Sequence, residues 1–362
     1  MPLDAIPRGF YALRVAGLRR ETDDAISLAF DVPDALRGRF DWQPGQYLTL
    51  RTTLDGEDVR RSYSICSGPD DGELRVAVKR VDGGRFSAWA HDALATGHAI
   101  DVMPPEGRFT LPPGADGRTV LAVAAGSGIT PVLSIVKAVL AREPNSRVVL
   151  LYGSRATAAI LFREELEALK DRFMARFSVV HVLSREQQDI PVLNGRLDGA
   201  KVAALLPGLV PGGLPDVALL CGPGGMIEAV SAALVAAGMP PERVRSERFV
   251  AAGGPVPRAR AKADIVPDAP FATAAIVSDG VRTEVAVRAD ETVLAAALGA
   301  GLDLPYSCRA GMCSTCRARV TEGAVRMDLN YGLEPWETDA GYVLTCQARP
   351  TTPYVVVDYD HV

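Results

Sequence analysis

Four cysteines in the last sixty residues carry the sharpest chemical signal in this 362-residue chain: Cys308, Cys313, Cys316 and Cys346. Their spacing is C-x4-C-x2-C, with the fourth cysteine after twenty-nine intervening residues. That spacing suits a plant-type [2Fe–2S] cluster, four thiolates on two irons with the first three on one tight loop. Such a loop must turn its backbone N–H groups toward the sulfurs. The small residues Ala310, Gly311, Ser314 and Thr315 permit this. Two other readings use the same residues. Zinc sites usually take paired C-x2-C units, but Cys308 and Cys346 belong to no second pair. A thioredoxin-like dithiol at Cys313 and Cys316 lacks its strand-to-helix setting and leaves two cysteines idle.

Two glycine-bearing turns could hold phosphates. One is 124–131, Ala-Ala-Gly-Ser-Gly-Ile-Thr-Pro. It follows an apolar run and opens a helix, with Thr130 placed to cap and Pro131 at the first helical position. Gly126 and Gly128 clear room for dinucleotide phosphates. Pro131 stands where the third glycine of G-x-G-x-x-G would be, so the ordinary Rossmann fingerprint is absent. The other turn is Gly83-Gly84-Arg85-Phe86-Ser87, ahead of a second helix with Ser87 placed as its cap. Its glycines let backbone approach a pyrophosphate. Between the other elements lies Arg61-Ser62-Tyr63-Ser64. Arginine offers a fork to a phosphate oxygen, tyrosine a flat face to an aromatic ring, and serine a hydrogen bond. An ordinary strand with polar alternation has the same pattern. Cys221-Gly222-Pro223 ends a predicted strand, where open α/β sheets bind ligands. A small buried residue is the alternative reading of Cys221, and Cys66 reads as a small core residue.

These residues need three kinds of scaffold. Apolar or alternating runs at 11–16, 25–30, 47–52, 62–66 and 74–81, separated by turn signals, predict an antiparallel sandwich or barrel. A helix at 87–94 interrupts it. The middle third alternates strands at 119–125, 147–152, 177–183 and 217–221 with helices at 131–140, 161–170 and 226–237, the last stopped by Gly238. That order predicts a parallel sheet with crossover helices. The apolar stretch 119–141 is long enough to raise a membrane span. Gly126, Gly128 and Pro131 inside it favour strand, turn and helix instead. A proline-rich linker is expected at 252–270. The last third predicts a hairpin, 272–277 and 281–287 around Asp279-Gly280, a helix at 291–300 capped by Asp290, and a final strand at 354–359. The expected domains are 1–113, 114–251 and 271–362.

The final segment resembles a plant-type ferredoxin domain of β-grasp fold. The residues before it resemble the ferredoxin–NADP reductase superfamily, an antiparallel flavin-binding barrel followed by a parallel-sheet nicotinamide domain. Arg61-x-Tyr63-Ser64 fits that superfamily's flavin motif. With the pyrophosphate turn at Gly83, Gly84, Phe86 and Ser87, the resemblance implies FAD rather than FMN. Cys221-Gly222-Pro223 fits its C-G-P motif, which implies that Cys221 lies beside the nicotinamide. Glu247-Arg248-Phe249 resembles the closing segment, with Phe249 near the flavin ring; Cys221, Ser64 and Phe249 are the implied catalytic residues. Ser154 and Arg155 end the second parallel strand and face the adenosine ribose by analogy, favouring NADPH over NADH. The order flavin, nicotinamide, ferredoxin resembles the reductase components of bacterial multicomponent oxygenases. The stretches most specific to one group of them are 330–335, Asn-Tyr-Gly-Leu-Glu-Pro, and 341–348.

Composition narrows the partners. The formal charge is −5, which disfavours a nucleic-acid binder. From residue 271 onward there are twelve acidic and seven basic residues, so the whole excess sits in the part expected to dock. No signal peptide is apparent, and a cytoplasmic location is expected. The implied partner is an oxygenase. A non-turnover iron–sulfur sensor is the rival class, and the two nucleotide motifs weigh against it.

Overall fold

The computed structural model describes residues 9–112, 114, 116–210, 212–249 and 271–361. The expected linker at 252–270 lies outside them. The described residues form three main sheets in two compact units, the first two sheets in one unit, except residues 60–62, which are grouped with the third sheet in the other.

The first sheet contains β1 (Tyr11–Thr22), β2 (Ala25–Asp31), β3 (Tyr47–Leu54), β4 (Glu57–Ser64) and β5 (Leu74–Lys79), then, after helix α1 (Arg85–Asp92), β6 (Ala99–Val102). Its order is β4-β3-β6-β1-β2-β5. An antiparallel bridge from Ile65, just past β4, to Val76 on β5 joins the two ends, so the sheet closes into the expected barrel. Inward positions hold Leu13, Leu28, Leu48, Leu50, Val76 and Val102, all buried. Strand β1 runs six residues past its predicted end, because a register shift at Gly17 absorbs the break in alternation. Helix α1 begins two residues early. Ser87 is not its cap; that position is Gly84, and no side chain caps the helix.

The second sheet is parallel. It contains β7 (Thr119–Ala125), α2 (Ile129–Arg142), β8 (Arg147–Ser154), α3 (Arg163–Arg172), β9 (Phe177–Leu183), α4 (Gly199–Leu209), β10 (Val217–Gly222), α5 (Gly224–Ala236) and β11 (Val244–Arg248). The order β11-β10-β7-β8-β9 reverses direction between β7 and β10. Such a reversal opens a crevice at the carboxyl ends of the two strands. The stretch 119–141 is β7, a turn and α2, and among the described residues no helix is long and apolar enough to cross a membrane. Thr130 does not cap α2: it lies inside the first turn and donates to the Ser127 carbonyl at 2.9 Å. Helix α4 and strand β11 have no counterpart among the predicted elements. Pro207 and Gly208 obscure the period of α4, and three charged residues obscure β11.

Lys137 of α2 ties these two sheets together. Only 9% exposed, it donates to Asp71, on the β4–β5 connection, at 2.6 Å and to Glu165 of α3. Buried cations persist when paired on more than one side.

The third sheet contains β12 (Ala272–Ser278), β13 (Val281–Val287), β14 (Arg317–Glu322), β16 (Tyr342–Leu344) and β18 (Tyr354–Asp358), ordered β13-β12-β18-β14-β16. Helix α6 (Val293–Gly299) packs on it, while β15 (Val325–Met327) and β17 (Ala348–Pro350) form a two-stranded ribbon. Helix α7 (Pro335–Asp339) is one short turn. Parallel pairing of β12 with β18 flanked by antiparallel neighbours gives the expected β-grasp. The cap of α6 is Thr292, not Asp290; its hydroxyl accepts from Ala295 N–H.

Lys137→Met keeps most of the volume and strands two carboxylates. Removing one partner of a buried pair is destabilising. A loss of about 2 kcal/mol is expected, the carboxylates being one-third exposed. A lower urea midpoint for the unfolding of the first unit checks it.

Candidate functional site

The crevice predicted by the strand order is present. It is a cleft of about 340 Å³ where the turn after β7 meets the turn after β10. Gly126, Ser127, Gly222 and Pro223 line its floor, with Phe249 on one wall. Ser154, Arg155, Ser184 and Arg196 line the far end, and Lys79 enters from the barrel. Three cations and no carboxylate line it, a composition made for a polyanion. The Ser154 hydroxyl, on a residue 8% exposed, has no hydrogen-bond partner among the described residues. A buried hydroxyl in a cleft wants a ligand. These residues fit a dinucleotide.

Gly128 does not line the cleft. A Cβ there would sit 2.2 Å from the Cys221 carbonyl oxygen, so glycine is what lets the two turns touch. Thr130 and Pro131 are buried in the same turn and shape it. Tyr152, fully buried on β8, donates to the Gly126 carbonyl at 2.9 Å and fixes the glycine turn from below.

Cys221 is fully buried, and pairs across the sheet with Ala124 on one side and Glu247 on the other. Ser64, at the end of β4, donates to the Glu247 carboxyl at 3.4 Å. So Ser64, Glu247 and Cys221 meet where barrel and parallel sheet adjoin. Burial pushes the Glu247 carboxyl up to about 8, against the opposing hydrogen bond from Ser64, although the residue keeps partial exposure. Burial, aided by Glu247, pushes the Cys221 thiol well up too. At pH 7 this junction is largely uncharged.

On the barrel, Arg61 is exposed and Tyr63 half-buried, both on one face of β4 by strand period. Ser62 is half-buried on the other face. Tyr63 rests on Phe86 at 5.5 Å between ring centroids. Phe86 itself is 1% exposed and forms the shelf under Tyr63. Ser87 is buried beside it. Its hydroxyl accepts from Val81 N–H and donates to the Gly84 carbonyl, closing the turn. Gly83 has φ +69, and no side chain caps the first N–H groups of α1. An exposed arginine, a supported aromatic face and an uncapped helix start fit a flavin dinucleotide.

In the second unit the loop 308–316 winds tightly, with Arg309, Gly311 and Ser314 at φ +52, +73 and +58. Left-handed backbone is costly for Arg and Ser. Here it turns amides inward. Ala310 and Cys313 N–H donate to the Cys308 sulfur at 3.3 and 3.4 Å, and Cys308 N–H to the Cys313 sulfur at 3.4 Å. Cys316 and Cys346 form a second, buried pair. Within each pair the sulfurs share one hydrogen bond, which draws Cys308 and Cys346 below the ordinary thiol range and Cys313 and Cys316 above it. No three described His, Cys, Asp or Glu residues close on one metal-ion position. Two thiol pairs, one per iron, fit a two-iron cluster instead. The outer wall is the stretch 330–335. Tyr331 N–H donates to the Gly311 carbonyl at 2.9 Å, and the Ser314 hydroxyl to the Gly332 carbonyl at 2.9 Å. Inside, Thr345 donates to the Cys316 carbonyl and Tyr359 to Thr345.

Sequence reasoning missed Lys79, Ser184, Arg196 and the acid at Glu247 as site residues. Arg196 follows Gly195, at φ +93, in a loop without period. Only the reversal of strand order brings it to the cleft.

The family model of the oxidoreductase FAD-binding domain matches residues 13–111, that of the oxidoreductase NAD-binding domain 122–232, and that of the 2Fe-2S iron-sulfur cluster binding domain 276–351. These three domains in this order define an NAD(P)H-dependent flavin iron–sulfur oxidoreductase. Phthalate dioxygenase reductase has the same fold, with TM-score 0.61 and 23% identity over 97% of this chain and 98% of that one. The chain is 43% identical, over 97% of its length and 98% of the relative, to a subunit of the 1,2-phenylacetyl-CoA epoxidase of Escherichia coli (strain K12). It is 37% identical, over 96% of each chain, to the ferredoxin reductase component of 3-ketosteroid-9-alpha-monooxygenase of Rhodococcus rhodochrous. The chain belongs to this family of oxygenase reductase components.

Gly128→Ala forces the turns after β7 and β10 apart. NAD(P)+ affinity should fall about tenfold or more, with flavin and cluster absorbance retained; equilibrium titration checks it. Cys346→Ser should abolish the cluster absorbance and leave the flavin spectrum intact.

Proposed function

We propose that this chain delivers electrons from NADPH to the oxygenase component of a phenylacetyl-CoA epoxidase in phenylacetate breakdown. The end-to-end 43% identity to the relative from that enzyme carries this reading. The stretch 330–335 supports it, since the segment most specific to that group buttresses the cluster loop. The second reading is a 3-ketosteroid hydroxylase reductase, favoured by the 37% identity over 96% of the chain.

The domains are assigned as 1–113 for FAD, 114–251 for NAD(P)H, 252–270 as linker and 271–362 for the cluster. When bound, FAD accepts the hydride pair from NAD(P)H and passes electrons singly through the [2Fe–2S] cluster. The chain's residues set the stage. Arg61 and the first N–H groups of α1 hold flavin phosphates, and Tyr63, backed by Phe86, lies against the ring. Gly126 and Gly222 let the dinucleotide approach backbone. Ser154 and Arg155 hold the adenosine end, the basis for preferring NADPH. Phe249 covers the ring side of the cleft, and Cys221 packs beneath it. Ser64 and Glu247 form a hydrogen-bonded, mostly neutral pair next to Cys221, which would border the bound flavin and nicotinamide. Cys308, Cys313, Cys316 and Cys346 ligate the cluster. A cytoplasmic setting suits a chain whose six cysteines form no disulfide.

Glu247 ionises as pH rises through about 8. Below that pH the junction is neutral; above it, a negative charge opposes arrival of a hydride. The rate of hydride uptake should therefore fall above pH 8, and Glu247→Gln should flatten that limb; stopped-flow flavin bleaching checks both. Reconstitution decides the partner. Purified chain, NADPH, oxygen and the epoxidase oxygenase should yield epoxidised phenylacetyl-CoA. Turnover with the ketosteroid oxygenase and none with the epoxidase would overturn the reading.

A further inference from the structure

Asp24 stands behind the cations of the cleft. It sits in the two-residue turn joining β1 to β2, on the barrel side. One carboxylate oxygen accepts from the Arg155 guanidinium and lies 3.6 Å from the Lys79 ammonium. The other accepts from the Thr22 hydroxyl at 2.9 Å. The turn is pinned further, because Arg80 N–H donates to the Asp24 carbonyl at 2.7 Å. Lys79 and Arg155 both line the cleft, and Asp24 does not. Nearby Arg80 is fully occupied by both oxygens of Asp92. The third lining cation, Arg196, has no carboxylate partner among the described residues. Two of the three cleft cations thus share one internal counter-ion on a rigid hairpin.

We infer that Asp24 is a built-in competitor of dinucleotide phosphate, which engages Arg155 and Lys79 beside the cleft and so holds dinucleotide affinity down. The inference rests on the dinucleotide reading of the cleft. A phosphate that engages Arg155 must share it with, or take it from, a carboxylate that the hairpin cannot withdraw. That carboxylate then remains at close range to the phosphate. Like charges at such range repel, by a modest amount where water has access. Burial alone would favour a neutral Asp24 acid. Lys79, Thr22 and Arg155 outweigh it and keep the carboxylate ionised. The benefit to a turnover catalyst is release: a site with three unopposed cations would hold the oxidised dinucleotide too long.

The test is Asp24→Asn in the full-length holoprotein, with Asp24→Ser as a second charge-removing variant in case the first fails to fold. Binding of NADP+, NAD+ and 2′,5′-ADP is measured by calorimetry, and kcat and KM by flavin-linked turnover. Affinity for NADP+ should rise about fivefold, the scale of a partly exposed ion pair, with the change in kcat/KM carried by KM. A gain shared by NAD+ assigns Arg155 and Lys79 to the pyrophosphate; a gain confined to NADP+ and 2′,5′-ADP assigns them to the 2′-phosphate. Either supports the inference. In an Arg155→Gln background the gain should shrink. Unchanged or weaker binding, or an undiminished gain without Arg155, overturns it. Wild-type protein that binds neither dinucleotide overturns the cleft reading and this inference together.

Discussion

At position 128 the chain has no room for a side chain. The turn after β7 rests directly on the carbonyl of Cys221, and that contact sets the rest of the first unit. It brings Gly126 and Gly222 to one floor and holds Phe249 over it. It also places β10 so that Cys221 faces Glu247 across the ladder, within reach of Ser64 from the barrel. An antiparallel and a parallel sheet therefore share one junction. The strand-order reversal between β7 and β10 supplies the crevice, and the missing Cβ keeps it narrow.

The second unit meets a different constraint. Sulfur is a weak hydrogen-bond acceptor, and thiolates clustered together repel. The loop answers with backbone amides turned inward, at the expense of left-handed conformations at Arg309 and Ser314. Such strain persists only where neighbours over-determine it. Here the neighbours are Tyr331, Gly332 and Thr345, each hydrogen-bonded to the loop or to Cys316, with Gln347 donating to the Arg309 carbonyl.

Much of this was legible in the residues. The cysteine spacing named the metal group, because ligand geometry survives in linear order. The parallel strands of the middle third were plain because buried strands read as continuous apolar runs; 119–125 and 177–183 agree to the residue. The caps were not. Ser87, Thr130 and Asp290 are each good cap types, but glycine at 84 and 128 and threonine at 292 took those places. The role of Arg196 and the meeting of Ser64 with Glu247 were hidden for another reason. They depend on which strand lies beside which, and no local pattern states that.

The two thiol pairs differ in one respect that reaches beyond electron transfer. Cys316 and Cys346 are buried, while Cys308 and Cys313 are partly exposed. An edge open enough to hand an electron to a protein is also open to dissolved oxygen and peroxide. A small oxidant in solution therefore meets the sulfurs of Cys308 and Cys313 first, with those of Cys316 and Cys346 lying deeper.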